Sequence, residues 1–160
     1  MNYPKIAFWD IDGVIANDSN RVHFALERKW ADYFRPDRMA ADTVWEIGRT
    51  SLLVAQEMGY TIAYLTGRRE DRRTVTQQWL DDNGFPFGKL VMRRFDQHVP
   101  LANLKTNYLA SLIGRGYEDV VLFDDDPEVI RLVQETLGVD RARHCTWHVK
   151  QKALVKAATA

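Results

Sequence analysis

Residues 5 to 14, Lys-Ile-Ala-Phe-Trp-Asp-Ile-Asp-Gly-Val, carry an uncharged run straight into two aspartates one residue apart, and then into a glycine. Ile6, Ala7, Phe8 and Trp9 leave no polar face, so the stretch reads as a strand buried on both sides, the habit of a central strand in a parallel sheet. Asp10 then falls at the carboxyl end of that strand. Ligands of open α/β sheets bind at that edge, because the strand-to-helix loops converge there. Gly13 lets the chain turn away at once. Two acids before a glycine also occur in ordinary solvated turns, so the weight of the reading rests on three later stretches.

Arg21 to Phe34 repeats Val22, Leu26, Trp30 and Phe34 at helical spacing, and Pro36 closes it. A second helical pattern runs from Asp42, placed as an N-cap, to Met58 ahead of Gly59, with a weak point over Gly48 to Ser51. Tyr60 to Leu65 is the next apolar run and ends in Thr66-Gly67-Arg68. Glu70 to Asn83 reads as a crossover helix stopped by Gly84, Lys89 to Met92 as a third strand, and Leu101 to Ile113 as a helix with Lys105 near its start. Asp119 to Phe123 is a fourth strand that runs into Asp124-Asp125-Asp126-Pro127. Pro127 suits the first turn of a helix ending at Gly138, with Asp126 as its N-cap. His144 to Val149 is expected as a fifth strand, and Lys150 to Ala160 as a short helix or a frayed tail.

Strands alternating with helices predict a three-layer α/β fold around a parallel sheet of about five strands, with a small helical insert over about 21–58. The 160 residues suit a single domain, 1–160. Lys plus Arg equals Asp plus Glu at 22 each, so no overall charge calls for a polyanionic partner. The lone Cys145 can form no internal disulfide, and the first residues carry no signal-peptide pattern, which together point to the cytoplasm. No apolar run is long enough for a membrane span. Oligomeric state leaves no mark in the sequence.

Asp10, Thr66 and Asp124 follow three separate strands, and a right-handed parallel sheet brings such positions to one edge. An aspartate there can attack phosphorus to form an aspartyl phosphate. A second carboxylate two residues on, Asp12, can protonate the leaving oxygen and then deprotonate water. Clustered carboxylates repel unless a cation is present, and Mg²⁺ takes one or two protein carboxylates beside substrate oxygens, with Asp124 or Asp125 supplying the second. A threonine hydroxyl, nearby N–H groups and a lysine ammonium would hold the phosphoryl oxygens as their charge shifts.

These residues, in order, match the four motifs of the haloacid dehalogenase-like (HAD) phosphohydrolase superfamily, which the chain resembles from about Lys5 to Val149. The resemblance implies a Rossmann-like core and Mg²⁺-dependent phosphoryl transfer, with Asp10 as nucleophile, Asp12 as general acid and base, Thr66 and Lys105 on the phosphate, and the acids Asp10, Asp12, Asp124 and Asp125 at the metal. The layout is further similar to the 3′-phosphatase module of bacteriophage polynucleotide kinase, whose two substrate-binding arginines match Arg21 and Arg68, beside Gly67. That similarity implies removal of 3′-terminal phosphates from DNA or RNA ends, in nucleic-acid end repair. No Gly-x-x-x-x-Gly-Lys-Ser/Thr loop occurs, so a free-standing phosphatase without a kinase half is expected. The alternatives are a phosphatase of soluble nucleotides or sugar phosphates and, in another class, a non-catalytic domain that binds phosphate ends.

The remaining candidates have plainer readings. Trp30, Trp45, Trp79 and Trp147 are expected in the core or under the crossover helices, and Arg72 and Arg73 on a solvated helix face. His23, His98, His144 and His148 lack metal-ligand spacing, which argues against zinc.

Overall fold

The computed structural model describes residues 4–148 together with 157 and 158. Its sheet contains five parallel strands: β1 (Lys5–Trp9), β4 (Thr61–Arg69), β5 (Lys89–Arg93), β6 (Asp119–Asp124) and β7 (Ala142–His144), in the order β5-β4-β1-β6-β7. The aspartate-bearing strand is therefore central, as its uncharged sequence requires. Period-two alternation sorts each strand between two cores. Ala7, Trp9, Ile62 and Tyr64 face one side, with Leu52 and Ala55 of α4 (Glu46–Glu57) and Trp79 and Leu80 of α5 (Arg73–Asp82). Phe8, Ala63 and Leu122 face the other, covered by α6 (Leu101–Gly114) and α7 (Pro127–Leu137). This is the three-layer α/β arrangement that the alternation of strands and helices predicts.

The second helical pattern resolves differently. Residues 43–44 form β3 (Thr43–Val44), paired antiparallel with β2 (Ala16–Asn17), and the helix starts only at Glu46. Asp42 is no N-cap; it is buried beneath two arginines. Since Leu52 and Ala55 pack against the sheet, α4 is the crossover from β1 to β4, and the insert proper is shorter than 21–58. The suspected break at Gly48 is absent, because the glycine serves a close approach: a β-carbon there would stand 2.0 Å from the Val14 carbonyl oxygen.

The helix expected over 21–34 is broken into α1 (Val22–Leu26) and α2 (Trp30–Tyr33). Arg28 adopts a left-handed φ of 57°, and Lys29 N donates to Phe24 O at 2.8 Å, so the first helix closes in the manner of a C-cap without a glycine to announce it. A third short helix, α3 (Pro36–Ala40), follows. β4 runs past the expected end at Leu65 to Arg69, with a register shift against β5 between those two residues. The fifth strand is Ala142–His144, earlier than expected. Val149 and the tail over 150–160, apart from 157 and 158, lie outside the described residues.

Candidate active site

All the motif residues meet at the carboxyl edge of the sheet. Asp10 follows β1 directly, Asp124 ends β6 and is succeeded by Asp125, and Lys105 lies in the second turn of α6. One carboxylate oxygen from each of Asp10, Asp124 and Asp125 lies within 4.8 Å of the other two. Lys105, fully buried, places Nζ 2.5 Å from Asp124 Oδ2 and 3.2 Å from Asp10 Oδ2. Backbone donors hold the opposite oxygens: Ile11 N donates to Asp10 Oδ1 at 2.8 Å and Asp126 N to Asp124 Oδ1 at 2.9 Å. Asp126 turns its own side chain to Glu128 N, as an N-cap should.

Three buried carboxylates against one ammonium leave an excess of negative charge. Burial pushes the Asp10 carboxyl up to about 7, opposed by Lys105 and reinforced by Asp124 and Asp12. Burial likewise raises Asp124, against the pull of Lys105. An all-oxygen donor set with surplus negative charge fits a hard divalent cation such as Mg²⁺, and Asp10, Asp124 and Asp125 are the side chains that would hold it. Gly13 completes the geometry. With φ at 82° and the Asp125 carboxylate packed against it, a β-carbon there would fall 2.5 Å from Asp125 Oδ2.

Asp12, expected among the ligands, faces a second cluster. Arg68 grips it with both prongs, Nε to Oδ2 at 3.0 Å and Nη2 to Oδ1 at 2.6 Å, and Arg21 Nη2 donates to the same Oδ1. Behind them Asp42 accepts from Arg21 Nε at 2.9 Å and from Arg68 Nη2 at 3.3 Å. Two carboxylates thus balance two guanidiniums, and both arginines are fully buried. Burial works against ionisation of Asp12, but the charges of Arg21 and Arg68 outweigh it and hold the carboxyl well below the usual range. Asp42 lies 21 residues from Arg21 and 26 from Arg68, so nothing local in the sequence marks it as their partner.

Thr66, Gly67 and Arg68 occupy the irregular part of β4, where the strand leaves register with β5. Thr66 Oγ1 accepts from Arg68 N at 3.1 Å, and Gly67 passes close to Leu101, whose Cδ2 would lie 3.0 Å from an added β-carbon. Two histidines also reach Asp125: His148 Nε2 is 3.2 Å from Oδ2, and His144 Nε2 is 3.1 Å from the backbone oxygen. The pairing of Asp124 with His144 across β6 and β7 brings them there, a proximity invisible at a spacing of 19 residues or more. Asp10, Asp12, Thr66, Gly67, Arg68 and Asp125 line the floor of a cleft of about 1170 Å³.

Structures sharing this fold include a chain of the Pnkp1/Rnl/Hen1 RNA repair complex, with a TM-score of 0.73 at 19% identity over 91% of this chain and 43% of that one. A second structure of the Pnkp1/Rnl/Hen1 complex gives 0.72 at 19% identity, over 91% and 47%. The class C acid phosphatase from Bacillus anthracis with tungstate bound gives 0.60 at 12% identity, over 100% and 81%. The chain spans less than half the length of the repair-complex chains it matches. No curated protein matches its sequence significantly. Residues 4–143 match the polynucleotide kinase PNKP phosphatase domain, and with nearly the whole described chain inside that match, the protein belongs to this family of HAD phosphatases.

Proposed function

We propose that the chain is a Mg²⁺-dependent phosphomonoesterase that works through an aspartyl phosphate on Asp10 and removes the 3′-terminal phosphate of a DNA or RNA strand. The observation that carries the reading is the position of Asp10, at the floor of an open cleft, contacted by Lys105 and flanked by Asp124, Asp125 and Asp12. The family membership points to the same substrate class. The buried, lone Cys145 suits a reducing compartment, and the cytoplasm is the location we favour. Among the described residues no helix is long and apolar enough to cross a membrane.

An Asp10 carboxylate oxygen attacks phosphorus, the bond from phosphorus to the departing alcohol breaks, and Asp12 gives that oxygen its proton. In the second half-reaction Asp12 takes a proton from water, whose oxygen displaces the Asp10 carboxylate and frees inorganic phosphate. Mg²⁺, when bound, supplies charge that holds the carboxylates ionised and draws negative charge off the phosphoryl oxygens. Lys105 Nζ and the backbone and hydroxyl of Thr66 are the chain's own donors to those oxygens.

Asp12 as it stands is a carboxylate held by two guanidiniums, the form needed to accept a proton from water. To donate one it must lose part of that hold. Arg68 lines the cleft, so an arriving phosphate competes with Asp12 for its N–H groups, and each contact drawn away raises the proton affinity of Asp12. Substrate arrival is thereby coupled to arming of the acid. The role belongs to Arg68, which lines the cleft; Arg21, fully buried and absent from that lining, completes the ion cluster that holds Asp12.

The experiment is a comparison of kcat/KM for 3′-phosphorylated oligonucleotides, 5′-phosphorylated oligonucleotides, mononucleotides and sugar phosphates, with Mg²⁺ and with excess chelator. Preference for the 3′-phosphorylated strand, lost with chelator and in Asp10→Asn, is expected. Equal rates on mononucleotides would defeat the end-processing reading, and full activity of Asp10→Asn would defeat the mechanism.

A further inference from the structure

The cleft is much larger than a phosphate and its metal require, and its lining away from the acids is of two kinds. Residues of the insert, Trp30, Tyr33 and Phe34, supply aromatic surface; Arg69 at the end of β4 and Arg93 at the end of β5 supply guanidiniums. Trp30, expected in the core or under the crossover helices, is instead 53% exposed. The left-handed turn at Arg28 separates α1 from α2, and α2 places Trp30 in the lining of the cleft. A large exposed aromatic in a deep cleft loses apolar burial, and a ligand with a flat face can restore it.

Tyr33 ties the aromatic surface to the rest of the fold. Trp30 lies 6.4 Å from the Phe34 ring at an interplanar angle of 25°, and Tyr33 donates its hydroxyl to Asp18 at 2.6 Å. Arg21 stacks on the Tyr33 ring at 4.3 Å, which ties the platform to the ion cluster behind Asp12. Arg72 Nε donates to Phe34 O at 2.7 Å, so this arginine braces the wall. Arg69 differs: its half-exposed guanidinium rests on the Phe95 ring at 4.4 Å and meets Asp71 at 3.2 Å, an exposed pair that a phosphate can replace. Arg93 is fixed by donation from Nη2 to Val99 O at 2.9 Å.

We propose that this cleft is a single-strand subsite in which Trp30 stacks on a base next to the scissile 3′-phosphate and Arg69, with Arg93 beside it, neutralises the adjoining internucleotide phosphate. The inference rests on the 3′-end reading above and adds residues for the strand beyond the terminal nucleotide. Aromatic surface and guanidiniums sharing one cleft match the two parts of a single strand, its base faces and its backbone charge, and stacking of this kind tolerates any base. A sugar phosphate would leave both unused.

The test is kcat/KM over a series of 3′-phosphorylated substrates from one to six nucleotides, with an aryl phosphate as reference, for wild type, Trp30→Ala, Trp30→Phe and Arg69→Ala. Wild type should improve up to two or three nucleotides and then level off. Trp30→Ala should lower the ratio of hexamer to aryl phosphate roughly tenfold and flatten the length series, while Trp30→Phe keeps most of both. Arg69→Ala should make the plot of log kcat/KM against log salt shallower by about 0.7, the value for one phosphate contact on a single strand. If wild type prefers 3′-phosphorylated strands but Trp30→Ala keeps the ratio and the length dependence, the platform is wrong and the end-processing function stands. If wild type shows no preference for strands, both fall together.

Discussion

Arg68 and Asp12 form a two-pronged ion pair, with Nε 3.0 Å from Oδ2 and Nη2 2.6 Å from Oδ1, inside a buried cluster that also contains Arg21 and Asp42. Fifty-six residues separate the two in sequence. The pair joins the loop after the central strand to the irregular end of its neighbour, so the residue proposed as acid and base is positioned by the fold as a whole.

Arg68→Lys should therefore not be conservative. A lysine cannot reproduce the fork, and it leaves Asp12 and Asp42 with fewer donors in a buried place. We expect destabilisation of about 1–3 kcal/mol, the cost of leaving buried acceptors short of donors while the positive charge is kept, measured by urea denaturation. A loss under about 1 kcal/mol would show that the cluster is well hydrated and weakly coupled.

Lys105 should act in opposite directions on turnover and on metal affinity. Its ammonium contacts both Asp10 and Asp124, so Lys105→Met removes the cation that offsets their repulsion. The variant should bind Mn²⁺ or Mg²⁺ more tightly, by calorimetry, while its kcat falls on the order of a hundredfold or more for want of a donor to the phosphoryl oxygens. Weaker metal binding would place the lysine among the supports of the site, with no competition between it and the cation.

The pH dependence of stability should carry the mark of Asp42. Burial raises this carboxyl to about 6, against the pull of Arg21 and Arg68 and with the Asp12 charge adding to the rise. A group raised on folding contributes stability that is complete below its unfolded value, about 3.9, and is lost as pH climbs through its folded value. Between about pH 4 and pH 6 the wild-type protein should lose stability with rising pH more steeply than Asp42→Asn. Asp12 has the reverse sign, since its carboxyl is depressed, so its contribution is complete above about 3.9 and declines only in stronger acid. Parallel Tm profiles for wild type and Asp42→Asn from pH 4 to 7 would contradict the assignment to Asp42.

Gly48→Ala reverses a general rule. In a helix interior alanine is ordinarily better than glycine by about 1 kcal/mol, and Gly48 lies in the first turn of a twelve-residue helix. Here the added methyl would meet the Val14 carbonyl oxygen at 2.0 Å, backbone that moves only with the loop carrying Gly13. Loss of about 1–3 kcal/mol is expected, together with reduced turnover, since Val14 and Ile15 continue the loop that carries Asp12 and Gly13, next to the proposed nucleophile Asp10. A gain in Tm would mean that the loop yields freely.

The sequence by itself determined the α/β class, the central place of the Asp10 strand and the identity of most residues at the floor of the cleft. Those inferences rest on local chemistry: an uncharged run has to be buried on both faces, and polar residues at strand ends have to lie on one edge of a parallel sheet. Helix and strand ends marked by Gly84, Gly138 and Pro127 were legible for the same reason. The tertiary structure alone decided what depends on contacts between distant segments. Asp42 looked like a helix cap because a short acid before an apolar pattern has that local meaning, yet two arginines from elsewhere in the chain claim its carboxylate. Gly48 looked like a helix break, because propensity does not register a carbonyl from another loop at 2.0 Å. Trp30 kept helical register with Val22 on paper, while a left-handed turn at Arg28, in no way announced by its residue type, delivered it to the cleft. Local sequence carries backbone preference and periodicity; it does not carry the electrostatic pairing and steric approach that arise only once the chain has closed on itself, and at this site those decide which charges are spent on one another and which face the substrate.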